Sequence, residues 1–200
     1  MDEVLAAAEQ IVRAVSVPVT VDFERGYRLA PAELVERFVT TGAAGLNLED
    51  SDPSSGAMVD AGEQADFLAA VREAARSLGV DLVLNARTDS FLRAVGTQDE
   101  QLAATLDRGS AYLAAGADCV YPIGVTDPGL VKALAVGIPG PVNVVYGTGA
   151  LSVAELGSLG AGRVSFGPSL QRLLYGKYGA RLLATLASDE NPFTLGGQRN

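Results

Sequence analysis

Short apolar runs alternate with longer stretches in which apolar positions recur every three or four residues, and the alternation persists from Val4 to Ala187. Val4, Leu5, Ala8, Ile11, Val12 and Val15 keep helical spacing, after which residues 17–21 read as a short buried strand. A helix is predicted over 31–41, with Pro31 suited to its first turn, and a strand over 46–48 after the break at Gly42-Ala-Ala-Gly45. The pattern continues with a long amphipathic helix over 61–78, a strand over 82–86, a helix over 99–115 and a strand over 119–123. A short helix over 128–136 and a strand over 141–145 follow. Ser152 with Glu155 three residues on predicts a capped helix to Leu159, then a last strand over 163–166 and a closing helix over 168–187. Polar, glycine-rich residues 191–200 read as a loose tail. The expected organisation is one unit, 1–187, with a flexible end, 188–200.

Strands apolar on both faces and separated by helices point to a parallel sheet covered by helices, an α/β fold. No G-x-G-x-x-G turn opens a helix after the first strand, so a (β/α)8 TIM-barrel type is favoured over an open doubly wound sheet. Six strands are predicted where a closed barrel has eight, and roughly 250 residues is usual for the complete fold against 200 here. The expectation is therefore an N-terminally incomplete barrel lacking two βα units.

Composition narrows the chemistry. Histidine is absent, which removes Ser-His-Asp and Cys-His catalysis and any histidine-ligated metal from this chain. A net charge of −9 gives no basic footprint for nucleic acid or an anionic membrane. No apolar run approaches the ~20 residues of a membrane span, and the acidic start Met1-Asp2-Glu3 lacks the basic opening of a signal peptide. A single cysteine, Cys119, fits a reducing compartment. These features predict a cytoplasmic protein, and Cys119, mid-strand among apolar residues, reads as a buried inert thiol.

In parallel α/β barrels the site lies at the carboxyl ends of the strands. Four such places carry polar residues: Val21-Asp-Phe-Glu-Arg-Gly-Tyr27, Asn47-Leu-Glu-Asp-Ser51, Asn85-Ala-Arg-Thr-Asp89, and Asn143 followed by Tyr146-Gly-Thr-Gly149. Asp22, Glu24 and Glu49 offer the oxygen ligands that a hard cation such as Mg²⁺ prefers. Arg87 can clamp a substrate carboxylate with its planar fork. Together these groups suit a 2-oxo acid, the metal polarising its carbonyl and stabilising an enolate. The same residues also serve as ordinary turn formers and ion pairs at strand ends, and Asp50 reads as a backbone hydrogen-bonding residue of the loop. Tyr27 either gates the mouth, donates a hydrogen bond or simply packs. Gly147 and Gly149 before Ser152 form either a phosphate cradle or a plain turn.

The blocks Pro18-Val-Thr-Val-Asp-Phe-Glu-Arg-Gly-Tyr27, Gly45-Leu-Asn-Leu-Glu-Asp-Ser51, Asn85-Ala-Arg-Thr-Asp89, Pro141-Val-Asn-Val144 and Val164-Ser-Phe-Gly-Pro168 resemble the signature segments of the phosphoenolpyruvate mutase/isocitrate lyase superfamily, in the same order. The resemblance implies a Mg²⁺-dependent lyase or mutase that makes or breaks a C–C or P–C bond of a small 2-oxo acid through an enolate, as decarboxylases and phosphonomutases do. On it Asp22, Glu24 and Glu49 are metal-shell carboxylates, Arg87 and Glu49 are catalytic, and Arg87, Asn143 and Tyr27 face the substrate. It further implies a homo-oligomer, dimer or tetramer, that exchanges C-terminal helices.

The chain also departs from that pattern. Its loop after Glu49, Asp50-Ser-Asp-Pro-Ser-Ser-Gly-Ala-Met-Val-Asp60, lacks the cysteine segment of the isocitrate and methylisocitrate lyases. Phe23 and Arg28 stand where smaller residues are common and would crowd the site. The first two strands of the pattern, with a substrate-binding Ser/Gly loop and a further aspartate, have no counterpart. The alternative expectation is thus a catalytically incompetent fragment or an accessory subunit of the same fold.

Overall fold

In the computed structural model, which describes residues 1–147 and 149–191, helices and strands alternate as the apolar pattern predicts. Helix α1 (Asp2–Ala14) leads to β1 (Thr20–Asp22), and one 3₁₀ turn (Gly26–Arg28) precedes α2 (Pro31–Val39). Next come β2 (Gly45–Glu49), α3 (Ala61–Ser77), β3 (Val83–Thr88), the short α4 (Ser90–Arg93), α5 (Gln98–Ala114) and β4 (Cys119–Pro122). The chain continues through α6 (Pro128–Gly137), β5 (Asn143–Val145), α7 (Val153–Ser158), β6 (Arg163–Ser165), α8 (Ser169–Arg172), a π-helical stretch (Leu173–Gly179) and α9 (Ala180–Ala187).

Local chemistry fixes the helix starts. Asp60 Oδ1 accepts from the amides of Gly62 and Glu63 at the head of α3, and Pro31 and Pro128 open α2 and α6. Thr97 with Glu100 and Ser152 with Glu155 form reciprocal capping boxes on α5 and α7. The helix expected to run unbroken over 168–187 instead passes through the π-helical stretch, which contains Gly176 and Gly179. Strand β1 begins at Thr20 rather than 17, and Val17 stays exposed, because Pro18 has no N–H to give a ladder.

All strand pairs are parallel. The order β1-β2-β3-β4 follows the sequence, a bridge from Val120 to Val142 leads to β5, and β5 pairs with β6. Each strand lies beside its sequence neighbour with no reversal of direction, as in a wound (β/α) barrel and unlike a doubly wound sheet. The fold is α/β and TIM-barrel-like. Among the described residues no ladder joins β6 back to β1; across that gap Arg163 Nη2 donates to Thr20 Oγ1 at 2.9 Å.

The two faces of the sheet differ sharply. Leu46, Leu48, Leu84 and Ala86 are buried against Leu34, Phe38, Leu68, Val71 and Tyr112 of the flanking helices. A second cluster joins Val120, Val142 and Val144 to Val131, Leu134, Ile138 and Leu156. At ~25 cal/mol per Å² of apolar surface, burial of each such leucine contributes about 2 kcal/mol. The opposite face carries Asn47, Glu49, Asn85 and Arg87, as pleating requires. Gly45 is needed there, since a Cβ would stand 2.4 Å from the Val83 carbonyl oxygen. No helix among the described residues is long and apolar enough to cross a membrane. Residues 192–200, most of the expected tail, lie outside the described residues, as does Thr148 in the proposed phosphate turn.

Candidate active site

Strand register brings the predicted groups of β1, β2 and β3 together. Asp22 is paired with Asn47, Asn47 with Asn85, and Glu49 with Arg87. The Arg87 guanidinium lies between the carboxylates: its Nη1 is 2.7 Å from Glu49 Oε2 and 3.8 Å from Asp22 Oδ2. Its Nε donates to Asp89 Oδ1 at 2.7 Å and its Nη2 to Asp89 Oδ2 at 3.3 Å. That fork-to-fork contact fixes the plane of the guanidinium. Asp89, fully buried, also accepts from Ser51 Oγ at 2.7 Å.

Glu49 is the electrostatic centre. Burial pushes its carboxyl up to about 7; Arg87 opposes the rise, while Asp89, Asp22 and Glu24 add to it. Four carboxylates, Asp22, Glu24, Glu49 and Asp89, meet two guanidiniums, Arg87 and, 3.7 Å from Asp89, Arg93, so the strand ends keep excess negative charge. Tyr27 feels the same field, its phenol raised by burial and then by Glu24, Asp22 and Glu49. Tyr121, opposite Arg87 on β4, is raised chiefly by burial.

The loop after β1 is conformationally strained. Glu24, Tyr27 and Arg28 have φ of 48°, 52° and 61°, the left-handed region that side chains disfavour. Gly26 makes the turn possible, because a Cβ there would come within 2.5 Å of Leu34 Cδ1. The loop is tied to β2 by the Glu49 amide, which donates to the Glu24 carbonyl at 2.8 Å. Phe23 does not crowd the site as expected. Falling between Asp22 and Glu24, it turns into the core, edge-on to Tyr27 and Phe38 at centroid distances of 5.0 and 5.4 Å. Arg28 is exposed, 3.9 Å from Asp52.

Asn143 is buried on β5, where its amide and the Ser165 hydroxyl bond each other at 2.9 and 3.0 Å. The Asn85 amide nitrogen donates to Asn47 Oδ1 at 2.6 Å, and Asn85 Oδ1 is buried without a partner. Cys119 is buried, its thiol pushed up to about 11 by burial, which agrees with an inert thiol.

Asp22, Glu24 and Glu49 supply only hard oxygen donors, and a divalent cation would neutralise the carboxylate charge that adds to the burial-raised Glu49, so the donor chemistry fits Mg²⁺. Among the described residues, however, no three acidic or thiol side chains are gathered into a ready-made metal cluster. Sequence reasoning missed Asp89 as the partner of Arg87, although its i, i+2 spacing was a signal. It also missed Arg108 and Tyr112, which bind Asp50 from α5 and carry no local signal.

Comparison with known proteins agrees with the geometry. The family description for phosphoenolpyruvate phosphomutase matches residues 1–186. An uncharacterized protein of Mycobacterium tuberculosis is 34% identical over 150 residues, which cover 74% of this chain and 54% of that protein. The 2-methylisocitrate lyase of Escherichia coli is 30% identical over 152 residues, covering 71% of this chain and 49% of the enzyme. The chain thus spans about half the length of these curated relatives. The crystal structure of a Burkholderia cenocepacia protein provisionally assigned as a phosphonomutase superposes with a TM-score of 0.81 at 41% identity, covering 92% of this chain and 74% of that one.

Proposed function

A chain matched by this family description over nearly its whole length belongs to the phosphoenolpyruvate mutase/isocitrate lyase superfamily, and from that premise we propose that it is a Mg²⁺-dependent lyase or mutase acting on a small 2-oxo acid through an enolate. The observation that carries the reading is Arg87 held by Asp89 and flanked by Glu49 and Asp22 at the carboxyl ends of adjacent strands. Asp22, Glu24 and Glu49 would hold the cation, which when bound supplies Lewis-acid polarisation of the 2-oxo group.

The chain's own residues do the rest. Arg87, its orientation fixed by Asp89, presents N–H groups to the substrate carboxylate or to the oxyanion that develops as the neighbouring C–C or P–C bond breaks. Glu49 balances the charge on Arg87. Tyr27, beside Glu24, offers a hydroxyl at the mouth, and Asn143 offers its amide from β5 to the substrate. The loop 50–60 contains no cysteine and the one thiol is buried, which argues against chemistry of the cysteine-dependent lyase type.

A homo-oligomer exchanging C-terminal helices is part of the proposal. Leu170, Leu173, Leu174, Tyr175, Tyr178, Leu182, Leu183 and Leu186 all stand exposed on the last helical segments, an apolar surface that a second copy would cover. Cytoplasmic location and the single unit 1–187 complete it.

The test is incubation of the purified protein with Mg²⁺ and oxaloacetate or phosphonopyruvate, with pyruvate release followed by a coupled assay and Mg²⁺ uptake by calorimetry. Turnover abolished by chelator and by Glu49→Ala is expected. A folded protein that binds Mg²⁺ and turns over neither acid would favour the accessory-subunit reading instead.

A further inference from the structure

Asp50, next to Glu49, is completely buried, and its carboxylate accepts three hydrogen bonds. Tyr112 Oη donates to Oδ2 at 2.7 Å and Arg108 Nη1 to the same oxygen at 3.1 Å. Arg108 Nη1 also donates to Tyr112 Oη at 2.9 Å. The other oxygen, Oδ1, accepts the backbone amide of Asp89 at 2.9 Å. One carboxylate therefore ties helix α5 to the peptide immediately after Arg87.

The same arginine reaches the far end of the loop. Arg108 Nη2 donates to the Val59 carbonyl at 2.8 Å, and the Val59 amide donates to the Asp50 carbonyl at 2.9 Å. Residues 50–59 thus form a loop with joined ends, and Arg108 grips both. Inside it, Ser51 bridges to Met58 and bonds Asp89 and Arg93. These contacts form a single connected path: Arg108 and Tyr112, then Asp50, then the Asp89 backbone, then the Asp89 carboxylate, then the Arg87 guanidinium.

We propose that Arg108 and Tyr112 are positioning residues, which act through Asp50 to set the height and plane of Asp89 and hence of Arg87. Neither touches the reacting groups. Resting on the enzymatic reading above, the claim is that α5 supplies the rigid support the strand ends lack. Buried in a low-dielectric interior, such a network holds one geometry because each alternative leaves a charge or hydroxyl unpaired. A displacement of about 1 Å at a positioned catalytic group lowers turnover by up to ~10²-fold.

The test uses the 200-residue chain and three variants, Tyr112→Phe, Arg108→Lys and Arg108→Met. Tyr112→Phe keeps the ring that fills the core and removes only the hydroxyl donor. Arg108→Lys keeps the charge but cannot hold Asp50, Tyr112 and Val59 at once. Amide hydrogen exchange is measured on peptides spanning 50–59 and 87–90, with 117–120 as an internal control, alongside kcat and KM for the 2-oxo acid. Expected for Tyr112→Phe are about tenfold faster exchange at 87–90 with the control unchanged, and about a tenfold fall in kcat with KM within twofold. Arg108→Lys should retain more kcat than Arg108→Met. Unchanged exchange at 87–90, or faster exchange with kcat intact, overturns the proposal. If the parent protein itself turns over no 2-oxo acid, the functional reading has failed, and exchange alone then decides: local loosening at 87–90 in Tyr112→Phe supports the coupling and its absence refutes it.

Discussion

The raised Glu49 carboxyl makes a prediction about stability whose sign is opposite to that of most acidic residues. Its ordinary value of 4.5 rises to about 7 in the fold, with burial the main cause. Between those values the native protein keeps a proton that the unfolded chain has released, so unfolding free energy falls as pH rises through the window. A shift of that size separates the two protonation states by ~3 kcal/mol, and water reaching the rim of the site reduces the usable part to about 1–2 kcal/mol. The perturbation is Glu49→Gln, which keeps the shape and cannot ionise. Urea unfolding of metal-free protein at pH 5 and pH 8 should show the parent losing ~1–2 kcal/mol more than the variant between the two. Mg²⁺ at a hundredfold excess over its Kd should add ~2.7 kcal/mol to the parent at pH 8 and much less to the variant. Parallel pH dependence in the two proteins would refute the claim that burial, with the neighbouring carboxylates, holds the Glu49 carboxyl high.

Three other outcomes are expected of the same molecule. Arg87→Lys exchanges the fork that grips both Asp89 oxygens for a point charge, and kcat/KM should drop about 10²-fold with little change in Tm. Cys119→Ala should leave turnover intact, and because burial pushes the thiol up to about 11, the native parent should resist iodoacetamide at pH 8 yet react in urea. At the opposite end of the strands, Arg72 donates to the Gly116 and Leu82 carbonyls and pairs with Asp118. Arg72→Met should therefore cost about 2–4 kcal/mol in denaturant unfolding, while kcat of the folded protein stays unchanged.

Much of the architecture was readable because the signal is periodic. Leu46 and Leu48 face the helices and Asn47 and Glu49 face the opposite side, so the identity of four residues determines which face is which. The capping box at Ser152 and Glu155 is likewise local, and it forms as written. The π-helical stretch over Leu173–Gly179 was not readable, because seven residues are too few for their apolar spacing to separate an i→i+5 helix from an i→i+4 one. Phe23 misled for a related reason: a residue between two site carboxylates reads as a site residue, yet pleating sends it to the other face, where it meets Phe38.

The site itself was legible as a set of charges and illegible as a set of pairs. Asp22, Glu49 and Arg87 come together because parallel register aligns the ends of three consecutive strands, which spacing alone anticipates. Which oxygen takes the guanidinium depends on who else competes for it, and that depends on distant residues. Asp89 wins the fork of Arg87 because its backbone is anchored by Asp50, and Asp50 is anchored by a tyrosine 62 positions away. Asp89 occupies one edge of Arg87, and the Nη1 edge left to Glu49 opposes but does not cancel the rise of its carboxyl, which burial causes first and Asp89, Asp22 and Glu24 increase. The α5 anchor therefore bears on Glu49 as well: it holds Asp89, whose charge adds to the rise of the Glu49 carboxyl, against the same guanidinium that opposes that rise.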